Sequence, residues 1–201
     1  MKLFNNGDIE NLLPCDGIAE YYSTVLSQEE TQLYFDRLER NIEWRPDEVV
    51  IAGRQTVTKR LVAWYGDSPF EYTYSGTTKK ALAWIDVLLE MRSRAESLLG
   101  ERFNSCLLNL YHTGSEGVGW HSDNEDCFIK NATIASFSLG AERRFLFKHR
   151  KSKETVSIKL ENGNLLAMKG ETQTHWLHSL PKSVKVTEPR INLTFRRMWE
   201  G

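Results

Sequence analysis

The chain has 201 residues, 40% of them hydrophobic and 26% charged, a balance that excludes disorder and low-complexity fibres and supplies enough apolar side chains for one core. No apolar run reaches the roughly 18 residues that a membrane-spanning helix needs, and the opening MKLFNNGDIENLL lacks the apolar stretch of a secretory signal, so no membrane partner is expected and the chain reads as cytoplasmic, or nuclear in a eukaryote. With 26 basic and 27 acidic residues the net charge is −1, which argues against a protein that binds nucleic acid over its whole surface.

In chain order, Cys15, Cys106 and Cys127 are odd in number, far apart and without a CxxC pair, so they read as reduced thiols rather than a disulfide framework or cysteine-rich zinc site. Ser27-Gln28-Glu29-Glu30 has the form of a capping box and opens a helix carrying Leu33, Tyr34, Leu38 and Ile42 on one side. Strands are predicted over Val49–Val57, Arg60–Tyr65 and Phe70–Tyr74, the last two separated by Gly66-Asp67. A second helix runs from about Ala83 to Leu99, with Ile85, Leu88, Leu89, Arg92, Ala95 and Leu99 at helical spacing and Gly100 just past its end.

From Ser105 onward the pattern changes to short strands: Cys106–Tyr111, Thr133–Leu139, Arg143–Lys148, Thr155–Leu160, Leu165–Met168, Thr174–His178 and Arg190–Met198. Gly140, Glu161-Asn162-Gly163-Asn164 and Pro181 punctuate them, and no internal repeat or Gly-, Ser- or Pro-rich linker intervenes. Helices followed by many short strands predict an α+β fold in which the helices back a jelly-roll-like pair of sheets. Between Ala141 and Lys159 seven basic residues face two acids, a local excess that leaves the rest of the chain at −6. That segment reads either as a solvated strand pair with its loop or as a ridge facing phosphates.

The chemistry gathers around Trp120-His121-Ser122-Asp123-Asn124-Glu125. In extended backbone, residues two apart point the same way, so His121 and Asp123 can share a metal. A third ligand is available 57 residues beyond His121, at His178 in Thr174-His175-Trp176-Leu177-His178. Two imidazoles and one carboxylate form a facial triad that leaves positions open for a chelating co-substrate and O2, which suits non-haem Fe(II). The last strand alternates strictly, with Ile191, Leu193 and Phe195 on one face and Arg190, Asn192, Thr194 and Arg196 on the other. The polar face is that of a wet edge strand or of a carboxylate clamp, because guanidinium forks bind carboxylates in bidentate fashion. Asn109 and Tyr111 share one face of Cys106–Tyr111 in the same way.

NLYHTGSEGVGWHSDNE, HWLHSLP and PRINLTFR, in this order and spacing, resemble the AlkB family of Fe(II)- and 2-oxoglutarate-dependent dioxygenases, which repair alkylated bases by oxidative demethylation. LVAWYGD and YTYSG resemble that family's nucleotide-recognition lid, and the likeness covers about Arg60 to Met198. It is strongest to the animal homologues that act on DNA, with AWYG and WHSDNE leaning towards the single-strand-acting one.

The resemblance implies one domain over 1–201, with N-terminal helices and the lid in about 1–104 and a double-stranded β-helix (jelly roll) core in about 105–201. It implies that His121, Asp123 and His178 bind iron; of the two histidines in His175-Trp176-Leu177-His178, only the second matches the family ligand. Asn109, Tyr111, Arg190, Asn192 and Arg196 hold 2-oxoglutarate, while Tyr72, Tyr74, Ser75 and Glu125 contact the lesion base, Tyr74 and His121 sandwiching it. Trp64 lies either in the lid or in the core. The implied reaction converts 2-oxoglutarate and O2 to succinate and CO2 while the N-methyl carbon of 1-methyladenine or 3-methylcytosine is hydroxylated and leaves as formaldehyde.

Two departures stand out. Before Gly53, where the duplex-acting homologue carries an aromatic finger, this chain has Val50-Ile51-Ala52; Ala52 cannot fill the gap left by an extruded base, and Ile51 wedges it only in part. Asn124 replaces an acid common after the ligand Asp. The expected partner is therefore alkylated DNA, with single strands favoured, acted on by a monomer. The alternatives are an RNA demethylase, another 2-oxoglutarate oxygenase, or a non-catalytic damaged-base binding module, the last disfavoured by the complete set of ligands and arginines.

Overall fold

Ser27 opens the first helix by the reciprocal bonds its sequence predicts: its Oγ accepts from the Glu30 amide at 3.2 Å, and Glu30 Oε2 accepts from the Ser27 amide at 2.9 Å. A computed structural model describes residues 9–51, 54–74 and 77–200, and within 49–55 and 72–79 no side chain is described. The elements are β1 (Ile18–Tyr22), α1 (Gln28–Asn41), β2 (Arg45–Ile51), β3 (Arg54–Gly66), β4 (Glu71–Tyr74), β5 (Thr77–Lys80), β6 (Leu82–Ala83) and α2 (Asp86–Leu99). They continue with β7 (Ser105–Tyr111), β8 (Val118–His121), β9 (Ile134–Gly140), β10 (Arg143–His149), β11 (Thr155–Leu160), β12 (Asn164–Lys169), α3 (Thr172–His175), β13 (Trp176–Leu180) and β14 (Arg190–Arg196).

A large sheet has the order β1-β12-β9-β14-β7-β3-β2, with the short β6 beside β3. A smaller sheet has the order β11-β10-β13-β8, and β4 and β5 form a hairpin of their own. One core lies between the helices and the large sheet, where Tyr34, Leu38, Leu88 and Met91 meet Leu108, Phe137, Leu193 and Phe195. A second lies between the two sheets, where Tyr111, Leu166 and Met168 meet Phe147, Leu160 and Leu180. The result is an α+β fold with a core antiparallel sheet and N-terminal helices. No helix among the described residues is long and apolar enough to cross a membrane.

The structure corrects several local expectations. Val49–Val57 is not one strand: Ile51 pairs with Arg54, so β2 ends and β3 begins inside that span, and β3 then runs unbroken through Thr58-Lys59. On α1 the buried face is Thr31, Tyr34, Phe35 and Leu38, and Leu33 is 56% exposed. On α2, which starts at Asp86 rather than Ala83, the buried face is Val87, Leu88, Met91 and Ala95. Arg92, expected on that face, instead lies over the Trp84 ring and bonds Asp67. Thr174–His178 is a short helix followed by a strand that begins at Trp176, and β14 stops at Arg196. Ala52 and Gly53 lie outside the described residues.

Candidate metal and co-substrate site

β14 sits between β7 and β9 in the middle of the large sheet, and all seven of its residues are buried. Its apolar face enters the helix-side core, so the alternate face is not wet but turned toward the smaller sheet. Register then fixes neighbours: Arg190 opposes Tyr111 and Asn192 opposes Asn109 on β7. On the facing sheet, β13 and β8 put His178 directly opposite His121. A cavity of about 330 Å³ between the sheets is lined by His121, Asp123, His178, Asn109, Tyr111, Arg190, Asn192, Arg196 and Glu125. The predicted metal ligands and clamp residues thus share one space. The side chains of Tyr72 and Tyr74, and the whole of Ser75, lie outside the described residues.

The ligand atoms of His121, Asp123 and His178 lie within 4.8 Å of one another. The two imidazoles meet edge to face at 4.2 Å. His121 Nδ1 contacts the Gly119 carbonyl at 2.9 Å; donating its proton there leaves Nε2 with its lone pair. His178 is packed against Phe145 at 5.5 Å, and burial, reinforced by charge at His121, pulls its pKa down to about 3, so it is neutral and able to coordinate. For Asp123, burial works against the charged form, but Arg196 and the two histidines outweigh it and hold the carboxyl down at about 2. Arg196 donates twice to Asp123 Oδ2, at 2.6 and 3.0 Å, which leaves Oδ1 to face a cation. A neutral His178, a His121 whose Nδ1 faces a carbonyl, and an ionised Asp123 held by Arg196 fit Fe(II).

Arg190 is 2% exposed and donates to Ser138 Oγ at 2.9 Å, yet its Nε has no hydrogen-bond partner and no carboxylate pairs with it among the described residues. Burial drives its pKa down to about 10. A buried cation with spare donors, lining a cavity, is a receptor for an anion. Asn192 is committed differently, its amide donating to Ser136 Oγ and the Phe137 carbonyl, both at 2.9 Å, so it ties β14 to β9 within the cavity wall.

Sequence reasoning missed the roles of five residues. Gln173, on the unexpected α3, accepts from the Asp123 amide at 3.0 Å and fixes the loop that carries this ligand. Phe145 stacks on His178. Asp47, which is buried, and Arg60, which is partly buried, form an ion pair in the cavity wall, near Trp64, which also lines it. Arg143 belongs to the basic segment read either as a solvated strand pair or as a phosphate-facing ridge, but is 2% exposed. It donates to the carbonyls of Glu116 and Pro181 at 2.8 and 2.9 Å, joining the loops beside β8 and β13, and its guanidinium and that of Arg190 lie 5.7 and 5.5 Å from the Tyr111 ring. His175, by contrast, lies outside the ligand cluster, half-exposed beside Glu171 at 3.6 Å. Arg143→Leu is expected to lower unfolding stability by about 2–3 kcal/mol, the loss of hydrogen bonds to a charged donor; an unchanged urea midpoint would show that those carbonyls need no such donor.

Two facing antiparallel sheets with a two-histidine, one-carboxylate cluster beside a buried arginine define the site of a 2-oxoglutarate oxygenase. Residues 19–196 match the 2OG-Fe(II) oxygenase superfamily. DNA oxidative demethylase ALKBH2 of Bos taurus is 37% identical over 194 residues, covering 91% of this chain and 70% of that protein. Its Homo sapiens counterpart is 36% identical, covering 91% and 74%. The alpha-ketoglutarate-dependent dioxygenase alkB homolog 3 of Homo sapiens is also 36% identical, covering 89% and 65%. A solved structure titled "The structure of OsALKBH1" shares the fold, with a TM-score of 0.61 at 16% identity over 89% of this chain and 96% of that one. The chain belongs to the 2OG-Fe(II) oxygenase superfamily and, within it, to the AlkB family. It is an Fe(II)/2-oxoglutarate-dependent dioxygenase.

Proposed function

We propose that the protein removes N-alkyl groups from bases such as 1-methyladenine and 3-methylcytosine in DNA, preferring single strands, with Fe(II) as cofactor and 2-oxoglutarate and O2 as co-substrates. The observation that carries this reading is the juxtaposition of the His121–Asp123–His178 cluster with the unpaired buried Arg190 in one cavity, in a chain akin to proteins named for DNA demethylation. His121, Asp123 and His178 hold the iron, which supplies the oxidising chemistry when bound. Arg190, its guanidinium over the Tyr111 ring, takes one carboxylate of 2-oxoglutarate, and Arg196, Asn109, Tyr111 and Asn192 shape the rest of its berth. Arg196 also keeps Asp123 ionised and, by bonding only Oδ2, would leave the carboxylate able to hold the metal.

Tyr72, Tyr74 and Ser75, with Glu125 at the cavity wall, receive the flipped base, Glu125 accepting from its exocyclic nitrogen. In this reading β2–β3 and β4–β5 serve as the nucleotide-recognition lid within about 1–104, over a catalytic core in about 105–201 of a single-domain monomer acting in the cytoplasm or nucleus. Phe145 stacked on His178 and the apolar packing between the sheets would make the side of the iron site away from the opening apolar.

The strand preference rests on Ala52. Extruding a base from a duplex costs a few kcal/mol that an intercalating aromatic helps to offset, whereas a single strand needs no plug. Initial rates of formaldehyde release on one 1-methyladenine oligonucleotide, single-stranded and annealed at fixed salt, are expected to favour the single strand. Ala52→Phe is expected to improve duplex repair more than single-strand repair. Equal or faster duplex rates in the wild type overturn the preference, and faster release from the matching RNA would move the substrate class to RNA.

A further inference from the structure

Outside the iron cavity, the described residues bring together one other set of metal-binding side chains: Cys15, Asp16 and His149, whose ligand atoms lie within 4.8 Å of one another. They come from two parts of the chain, the loop before β1 and the last residue of β10. The loop is already held. Asn11 Oδ1 accepts from the amides of Leu13 and Ala19, its Nδ2 donates to the Gly17 carbonyl, and Trp176 Nε1 donates to the Cys15 carbonyl at 2.9 Å. His149 is only 4% exposed, its ring 4.9 Å from that of Trp176. Its Nε2 is buried, makes no hydrogen bond, and points to the loop, 3.3 Å from Asp16 Oδ2.

We propose that Cys15, Asp16 and His149 bind a divalent transition-metal cation of the zinc class, with water completing the coordination on the exposed side. Thiolate, imidazole and carboxylate together select borderline-soft ions and not magnesium or calcium, which take oxygen donors. Ser152 lets His149 take either tautomer. With Nε2 protonated, Nδ1 accepts from the Ser152 amide at 3.1 Å; with Nε2 on a cation, Nδ1 donates to Ser152 Oγ at 2.8 Å. Partial desolvation and the charges of Asp16 and Glu154 keep the Cys15 thiol protonated in the metal-free protein. Metal binding displaces that proton to solvent, and the same acidic surroundings favour the cation. Because His149 pairs with Trp176 and Phe147 pairs with His178, the cation pins the loop before β1 onto the strand pair that carries an iron ligand.

The test is titration of the metal-free full-length chain with Co(II) under anaerobic reducing conditions, followed by thiolate-to-cobalt charge-transfer absorption. The wild type is expected to take up two equivalents and to show the thiolate band. Cys15→Ser, at an exposed position, is expected to keep one equivalent and lose the band. His121→Ala is expected to lose one equivalent and keep the band, and Cys127→Ser, at a residue that lines the iron cavity, to keep both. No band in the wild type, a band that persists in Cys15→Ser, or a band that disappears in His121→Ala or Cys127→Ser would overturn the site.

Discussion

His121→Ala is expected to reduce Fe(II)-dependent formaldehyde release by more than about 100-fold, since even partners that merely orient a metal ligand cost 10–100-fold when removed. The same loss is expected for Asp123 and His178, but the three positions do not carry equal structural burdens. His121 ends a strand at the margin of the smaller sheet and is partly exposed, so its truncation leaves the fold intact. His178 is buried against Phe145 and Phe147, and its truncation opens a hole. Asp123→Ala strands the Arg196 charge in a buried site, at a cost of about 3–5 kcal/mol, so Asp123→Asn is the better replacement. The control is His175→Ala, expected to retain wild-type turnover. Wild-type turnover in His178→Ala together with a dead His175→Ala would reverse the assignment of the third ligand. Anaerobic addition of Fe(II) and 2-oxoglutarate gives a second readout, a weak visible charge-transfer band expected in the wild type and absent from the ligand variants.

Arg190→Met should separate affinity from stability. Removing a buried charge partner typically costs about 2–5 kcal/mol of binding, which raises the 2-oxoglutarate requirement by roughly 30-fold to several thousand-fold. In the ligand-free protein the same charge lacks a carboxylate partner among the described residues, and burial has lowered its pKa to about 10. A base whose folded pKa falls below its unfolded value costs stability at every pH below that folded pKa and ceases to do so as pH rises above the unfolded one. Arg190→Met is therefore expected to leave the ligand-free protein as stable as the wild type or more so, while 2-oxoglutarate no longer raises its melting temperature. Unchanged 2-oxoglutarate dependence would place the co-substrate elsewhere; marked destabilisation without ligand would show that Arg190 is satisfied by the protein itself.

The alternation of Arg190–Arg196 was readable from sequence, and both of its faces are as the pattern implies. What the pattern did not reveal is that the polar face is covered, because that depends on a second sheet arriving from residues far along the chain. Likewise the HxD spacing showed only that His121 and Asp123 can share a metal, and the resemblance named them as ligands, but Gln173 was hidden: Thr174–His178 looks extended by its aromatic and β-branched content, and the one-turn helix before Trp176 has no side-chain cap to announce it. On α2, Leu89 and Arg92 satisfy helical spacing as well as Val87 and Met91 do, and only the neighbouring Asp67 and Trp84 draw Arg92 outward. Arg143 was indistinguishable by composition from the surface lysines after it, since burial of a cation depends on carbonyls supplied by two separate loops.

The central place of β14 has a consequence for biosynthesis. A chain still lacking residues 190–196 has its β7 and β9 edges unpaired, since these two strands meet only through the missing one. Both exposed edges and the apolar face around Phe137 and Leu108 are then open to other polypeptides. A nascent or truncated chain ending before Arg190 should therefore be bound by chaperones or aggregate, and neither the triad's Asp123 anchor nor the buried cation exists until the final strand has emerged from the ribosome and slotted between its neighbours.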